Sequence, residues 1–306
     1  MSGPRIAVAL FGPQGRGSFN ESGWAGVLRA RATGLAVEAH WVEPLDAEAR
    51  AAELRRICEQ GIDLLVAHGG QGDAPVSMMS GDFPETRFAI TQGGFVSSNT
   101  AAYEVLQEQS AFLAGVFAGL SSRTGVVGHL SGEKVRPGLK GRAAFADGLK
   151  ASGRECRFVT LFCGQQHDPE LAYRAGCALH REGVDIVFAM IDGGRDGLSR
   201  ACRELPMRQI GNVIDWVARD PQVFIASAFA DSGRGISDAV ADFMQQRFRP
   251  GTTVVHGLSS PDHVRLIIEE AVALEHADVL SAWTARLLSG DYQPSLDYDG
   301  PELAWP

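Results

Sequence analysis

Residues Ile90 to Gly132 read ITQGGFVSSNTAAYEVLQEQSAFLAGVFAGLSSRTGVVGHLSG. The stretch predicts a strand end, a glycine loop, one long helix and the first strand of a new series. Leu106, Phe112, Leu113, Val116, Phe117 and Leu120 recur at helical spacing, so a broad face of that helix must be buried. Ala111, Ala114, Gly115, Ala118 and Gly119 thin the other positions and allow close packing on neighbouring helices. Past Arg123-Thr124-Gly125 the pattern switches at once to a strand, Val126 to Leu130. A helix that ends where a second strand–helix series begins is the expected crossing point between two lobes.

On both sides of this stretch strands and helices alternate. Before it, strand Ile6–Leu10 runs into the loop Gly12-Pro-Gln-Gly-Arg-Gly17, and Ser18 or Asn20 is expected to cap the following helix. Strand Leu35–Val42, helix Asp46–Gln60 stopped by Gly61, and strand Asp63–His68 follow. After it come helix Leu139–Ala151, strand Arg157–Phe162 and a helix started by Asp168 as N-cap with Pro169 at its first position. Strand Asp185–Ile191 opens the loop Asp192-Gly-Gly-Arg-Asp-Gly197. Strands over 209–214, 223–229 and 253–257, a helix over 236–247 and a long helix over 263–289 complete the reading. Repeated βα units predict parallel sheets covered on both faces, with ligands beyond the carboxyl ends of the strands. Boundaries are expected at residues 1–119 plus 229–254 for the first lobe and 120–228 plus 255–306 for the second.

With 306 residues the chain can bury a large core and fits two lobes better than one. A net charge of −9 disfavours nucleic acid or an acidic membrane surface as partner. No segment approaches the ~20 apolar residues a spanning helix needs. The first residues, MSGPRIAVALFGPQG, read as a strand and glycine loop and not as a secretory leader. The sequence as it stands reads as cytoplasmic; it is periplasmic or lipid-anchored if a leader has been removed. The five cysteines are scattered without metal spacing, and the eight histidines form no HxH or HxxxH pair, so no metal site is expected.

The candidate chemistry is that of binding. Gly12–Gly17 matches neither GxGxxG nor a GK(S/T) phosphate loop. Cys163, His167 and Asp168 cluster after one strand, but nothing places a base against a nucleophile, and no catalytic residue or cofactor is expected. The glycine loop at Gly193 and Gly194 is expected to turn amides toward a ligand. Asp215 with Trp216 at a strand end can either hydrogen-bond and stack on a heterocycle or cover the core edge.

Ser18-Phe-Asn-Glu-Ser22 with Trp24 and Gly26 resembles the "SFN-(D/E/Q)-S…G" loop of the Bmp family, the basic membrane lipoproteins and purine nucleoside receptors of ABC importers. Glu108–Gly115 is similar to that family's "EQ-G-A-(F/Y)-L-A-G" helix, Gly125–Gly132 to its "TGKVGFVGG", and 141–151 to "F…GF…G-(V/L)-K-A". Gly183–Gly197 resembles "GADVIF-x-x-x-GG-x-G". The likeness runs from residue 5 to about 280. It implies an α/β, type I periplasmic-binding-protein fold, two doubly wound lobes joined by a hinge, and a purine-like ligand in the cleft. By position it implies stacking by Phe11 or Phe19, a hydrogen bond from Asn20, a purine-reading carboxylate at Glu108, a glycine loop at Gly193 and Gly194, and an acid at Asp215. An ABC permease is the implied partner, with a cytoplasmic ligand sensor or enzyme on the same fold as the alternative.

Two departures shape the ligand. The family's "IGVDSDQ" is here Ile210-Gly-Asn-Val-Ile-Asp-Trp216, so one acid is replaced by Val213 and a glutamine by Trp216. Its "S-x-x-K", with the lysine at the ribose side, is here Ser227-Ala-Phe-Ala230. An ammonium and an acid lost together remove charge-assisted bonds to hydroxyls, each worth about 1.5–3 kcal/mol. The departures point to a free purine base or similar small heterocycle.

Overall fold

The computed structural model describes residues 3–14 and 18–305 and divides the chain into two α/β units. Unit 1 comprises residues up to Val105 and Ser232–Val255, and unit 2 comprises Leu106–Asp231 and the residues from His256 on. The chain therefore passes between units at three places.

Unit 1 holds β1 (Ile6–Phe11), α1 (Ser18–Arg31), β2 (Val37–Val42), α2 (Ala47–Cys58), β3 (Leu64–His68), α3 (Asp73–Met79), β4 (Arg87–Thr91) and β5 (Thr100–Val105). The returning segment adds α8 (Arg234–Met244) and β11 (Thr253–His256). Its six strands lie in the order β11-β5-β4-β3-β1-β2. The β1 run is apolar throughout because both its faces are covered. Ala7, Ala9 and Phe11 meet α2, whereas Ile6, Val8 and Leu10 meet the side carrying Val27 and Ile236. Asp46 caps α2 by accepting from the Ala49 amide at 2.7 Å, and Gly61 beyond it adopts φ 80°.

Unit 2 repeats the plan with α4 (Gln107–Ser121), β6 (Val126–Ser131), α5 (Arg136–Ala151), β7 (Arg157–Phe162), α6 (Pro169–Arg181), β8 (Ile186–Met190), α7 (Arg195–Glu204), β9 (Arg208–Val213) and β10 (Phe224–Ala230). It ends with β12 (Val264–Ile268), the short α9 (Glu270–Ala273) and α10 (Ala277–Ser289). The strand order is β12-β10-β9-β8-β6-β7, parallel except for β12 against β10. In both sheets the order reverses beside the first strand, between β1 and β3 and between β6 and β8. Ligands of doubly wound sheets bind in the crevice at this switch point.

Three expectations change. Thr100–Val105 is a buried strand, β5, and the helix begins only at Gln107. The long helix expected over 263–289 is broken: Val264–Ile268 pairs antiparallel with β10, as its β-branched VRLII run favours, before α10 begins. Residues 106–119, expected in the first lobe, belong to unit 2, because α4 lies along α5 at backbone contact. A Cβ at Gly115 would collide with the Phe145 carbonyl, and one at Gly148 with the Phe112 carbonyl.

Candidate functional site

At the switch point of unit 1, β1 ends at Phe11 and β3 at His68, both packed between helices. Phe11 is buried in the core with the Arg50 guanidinium 5.3 Å above its ring. Asn20 lies inside the first turn of α1 and is not its cap; it is buried, and its Nδ2 donates to the Phe11 carbonyl at 3.0 Å. Phe19 is half-buried and stacks on His68 with centroids 4.3 Å apart. The His68 ring is held at both ends, by Thr91 Oγ1 at 2.8 Å and the Phe19 carbonyl at 3.0 Å. Ser22 of the same motif braces structure, accepting from the Gly233 amide at the start of α8 at 2.8 Å. Residues Gly15, Arg16 and Gly17 of the glycine loop, and the Ser18 side chain, lie outside what the structure describes.

The carboxyl ends of the unit 2 strands carry more charge. Glu108 sits in the first turn of α4 and forms an ion pair with Lys140 of α5 at 2.8 Å, their side chains 8% and 9% exposed. Its second oxygen, Oε2, is buried and has no hydrogen-bond partner among the described residues. The two helices start together, Gln107 Nε2 donating to the Pro137 carbonyl at 3.1 Å, and α5 follows directly on β6. Gly141, next to Lys140, packs on Met190 at the end of β8. The pair therefore borders the β6–β8 switch point.

The next loop is built around Arg195, 2% exposed at the start of α7. Its Nη2 donates to the carbonyls of Ala189 and Ile191 and to Asn212 Oδ1 at 2.6 Å, and its Cζ lies 4.6 Å from the Trp216 ring. Gly193 and Gly194 are buried beside it, and the Gly194 amide donates to the Gln166 carbonyl at 2.9 Å, so that amide is engaged within the loop. Trp216 stacks on Phe224 at 5.0 Å and donates from Nε1 to the Asn212 carbonyl at 3.0 Å, which makes it a wall of the core edge. Asp215 accepts from the Ala218 amide at 3.0 Å. Just before them Val213 has φ 69°, and the Ile214 amide bonds the Asn212 carbonyl across it at 2.8 Å. A β-branched residue in the left-handed region is a genuine outlier, and such strain gathers at functional sites.

Burial raises the Cys163 pKa, and Asp168 caps α6 through the amides of Glu170 and Leu171. Burial likewise pushes Cys58 and Cys202 up to about 12. His129, fully buried in β6 between Thr160 Oγ1 (2.8 Å) and Ser131 Oγ (3.0 Å), is driven down to about 3 by desolvation and then by Arg142, and is neutral.

Sequence reasoning missed His68, Lys140, Arg195 and Asn212. Each carried a signal: a histidine closing an apolar strand, a lysine beside Gly141 in α5, an arginine directly after Asp192-Gly-Gly, and an asparagine near the end of strand β9.

Comparison with known proteins gives a consistent family. A family model described as ABC transporter substrate-binding protein, PnrA-like, matches residues 4–282. Basic membrane protein A1 of Borrelia garinii subsp. bavariensis is 23% identical over 269 residues, covering 83% of this chain and 77% of that protein. A purine-binding protein of Brucella abortus is 22% identical over 272 residues, covering 85% and 77%. Among solved structures, an ABC transporter solute-binding protein from Aeropyrum pernix K1 superposes with a TM-score of 0.82 at 21% identity, covering 97% of this chain and 95% of that one. A transcriptional activator of the comK gene from Bacillus halodurans gives 0.74 at 18% identity, covering 95% and 100%.

Proposed function

The chain belongs to the PnrA-like family of ABC transporter substrate-binding proteins, and from that premise we propose that its solute is a purine-like heterocycle taken as the free base. The observation that carries the reading is Glu108, a buried carboxylate with one oxygen paired to Lys140 and the other without a hydrogen-bond partner among the described residues. A buried acceptor left unmatched costs about 1–3 kcal/mol, which a ligand N–H recovers. The name of the Brucella abortus relative supports the ligand class. Ala230, where the family resemblance puts a lysine at the ribose, and Val213, where it puts an acid, support a base over a nucleoside. In this reading Gly193 and Asp215 of unit 2 line the ligand, whereas Gly194 and Trp216 shape the wall behind it. The protein works outside the cytoplasmic membrane as the capture component of an importer; no helix among the described residues is long and apolar enough to cross a membrane.

A thermal-shift screen of purines, pyrimidines, sugars and amino acids tests this, since a ligand that binds only the folded state raises Tm by mass action. Purine bases are expected to give the largest shifts. Stabilisation by sugars or amino acids and not by purines would reject the ligand class.

The fold likeness to the comK-gene activator favours a second reading, ligand sensing without transport. Uptake of radiolabelled base in cells lacking the gene separates the two: lost uptake supports capture for import, unchanged uptake supports sensing.

A further inference from the structure

Lys140 stands in no motif of the family resemblance, yet it faces the site's buried carboxylate. Glu108 can only accept hydrogen bonds and Lys140 can only donate them, and their charged groups lie 2.8 Å apart with side chains 8% and 9% exposed. A buried ion pair is often replaceable by apolar residues without loss of stability, so stability alone does not account for this one between α4 and α5. That packing is already secured by the Gly115 and Gly148 contacts. The unpartnered Oε2 of Glu108, among the described residues, is the second observation, and the place is the third: the pair borders the β6–β8 switch point.

We propose that Lys140 is a specificity-determining residue, forming with Glu108 a two-point reader of a heterocycle's edge; the proposal rests on the purine reading above. The carboxylate accepts an N–H from the ligand, and the ammonium donates to the acceptor beside it. The ligand class is a neutral cyclic amide, N–H next to C=O, or a neutral amidine, NH2 next to a ring nitrogen. An ionised ligand brings a further charge into this buried site and is rejected.

Calorimetric titration of the whole chain with hypoxanthine, 1-methylhypoxanthine, adenine and N6,N6-dimethyladenine tests the reader, since each methylated partner lacks the edge N–H. The methylated bases are expected to bind roughly ten- to a hundredfold more weakly than their parents. Lys140→Met, checked for folding by its thermal melt, is expected to weaken both parents by about tenfold or more and to narrow the gap to the methylated forms. Methylated bases binding as well as their parents would overturn the proposal even if Lys140→Met failed to fold. Unchanged affinities in a folded Lys140→Met protein would overturn it too. Binding of no purine at all would instead reject the purine reading and take this inference with it.

Discussion

At the residue scale, the Glu108–Lys140 pair separates stability from recognition. Removing one partner leaves a buried charge uncompensated, so Glu108→Ala and Lys140→Met are each expected to lower unfolding free energy by about 3–5 kcal/mol in chemical denaturation. The double variant Glu108→Leu/Lys140→Met is expected to recover most of that loss while ligand affinity stays lost. Recovery of affinity in the double variant would show that the pair serves structure alone. His129 gives a pH signature. Its pKa in the folded state is about 3 against roughly 6.5 in the unfolded chain, so below pH 6.5 the unfolded state binds a proton that the folded state refuses. Stability is therefore complete above pH 6.5 and falls, by up to ~1.4 kcal/mol per unit from this residue, as pH drops toward 3. Denaturation of the wild type and His129→Gln at pH 7.5, 6 and 5 should show a shallower decline in the variant. Glu108 was legible from its motif as a candidate. Lys140 was not, because a helix of small residues says nothing of which face meets α4, and that face is set by glycines 33 positions apart, at 115 and 148.

At the element scale, α4 and α5 set helix propensity against packing. Alanine is a better helix former than glycine by about 1 kcal/mol, yet a Cβ at position 148 would meet the Phe112 carbonyl, which belongs to backbone and cannot turn aside. Gly148→Ala is expected to destabilise by about 1–3 kcal/mol in urea unfolding; a stabilised variant would mean that the helices part without cost. Among its described residues the tail after α10 forms no helix or strand, yet it is pinned along unit 2. Tyr292 Oη donates to Asp147 at 2.9 Å, Glu302 pairs with Lys134 at 2.8 Å and Arg142 at 2.5 Å, and the Leu303 amide reaches the Thr160 carbonyl at 2.8 Å. Leu303 and Trp305 cover the unit 2 core. Truncation after Gly290 removes Tyr298 from Phe158 and Leu303 and Trp305 from the unit 2 core, and should lower Tm in a thermal melt. Most elements were legible because their apolar runs are buried on both faces or striped at helical spacing. Two were not. TAAYEV and VRLII are short and abut helical patterns, and only their pairing partners, β4 and β10, decide that they are strands.

At the scale of the whole molecule, the repeated strand order gives each unit one switch point, and glycine loops follow the carboxyl ends of β1 and β8 beside them. That arrangement was legible from the alternation of strands and glycine loops, since doubly wound sheets leave only one end open to ligands. What the order of residues could not reveal is which side chains were already engaged. Trp216 and Asn20 read as candidate ligand contacts, and the fold adds that Trp216 stacks on Phe224 and that Asn20 donates to the Phe11 carbonyl. The account rests on a base being bound without demand for ribose, and the most direct test is calorimetric titration of hypoxanthine beside inosine. Hypoxanthine is expected to bind at least as tightly as its nucleoside, because neither an ammonium at Ala230 nor an acid at Val213 is present to meet sugar hydroxyls. Inosine binding tighter than hypoxanthine by a hundredfold, about 2.8 kcal/mol, would contradict it.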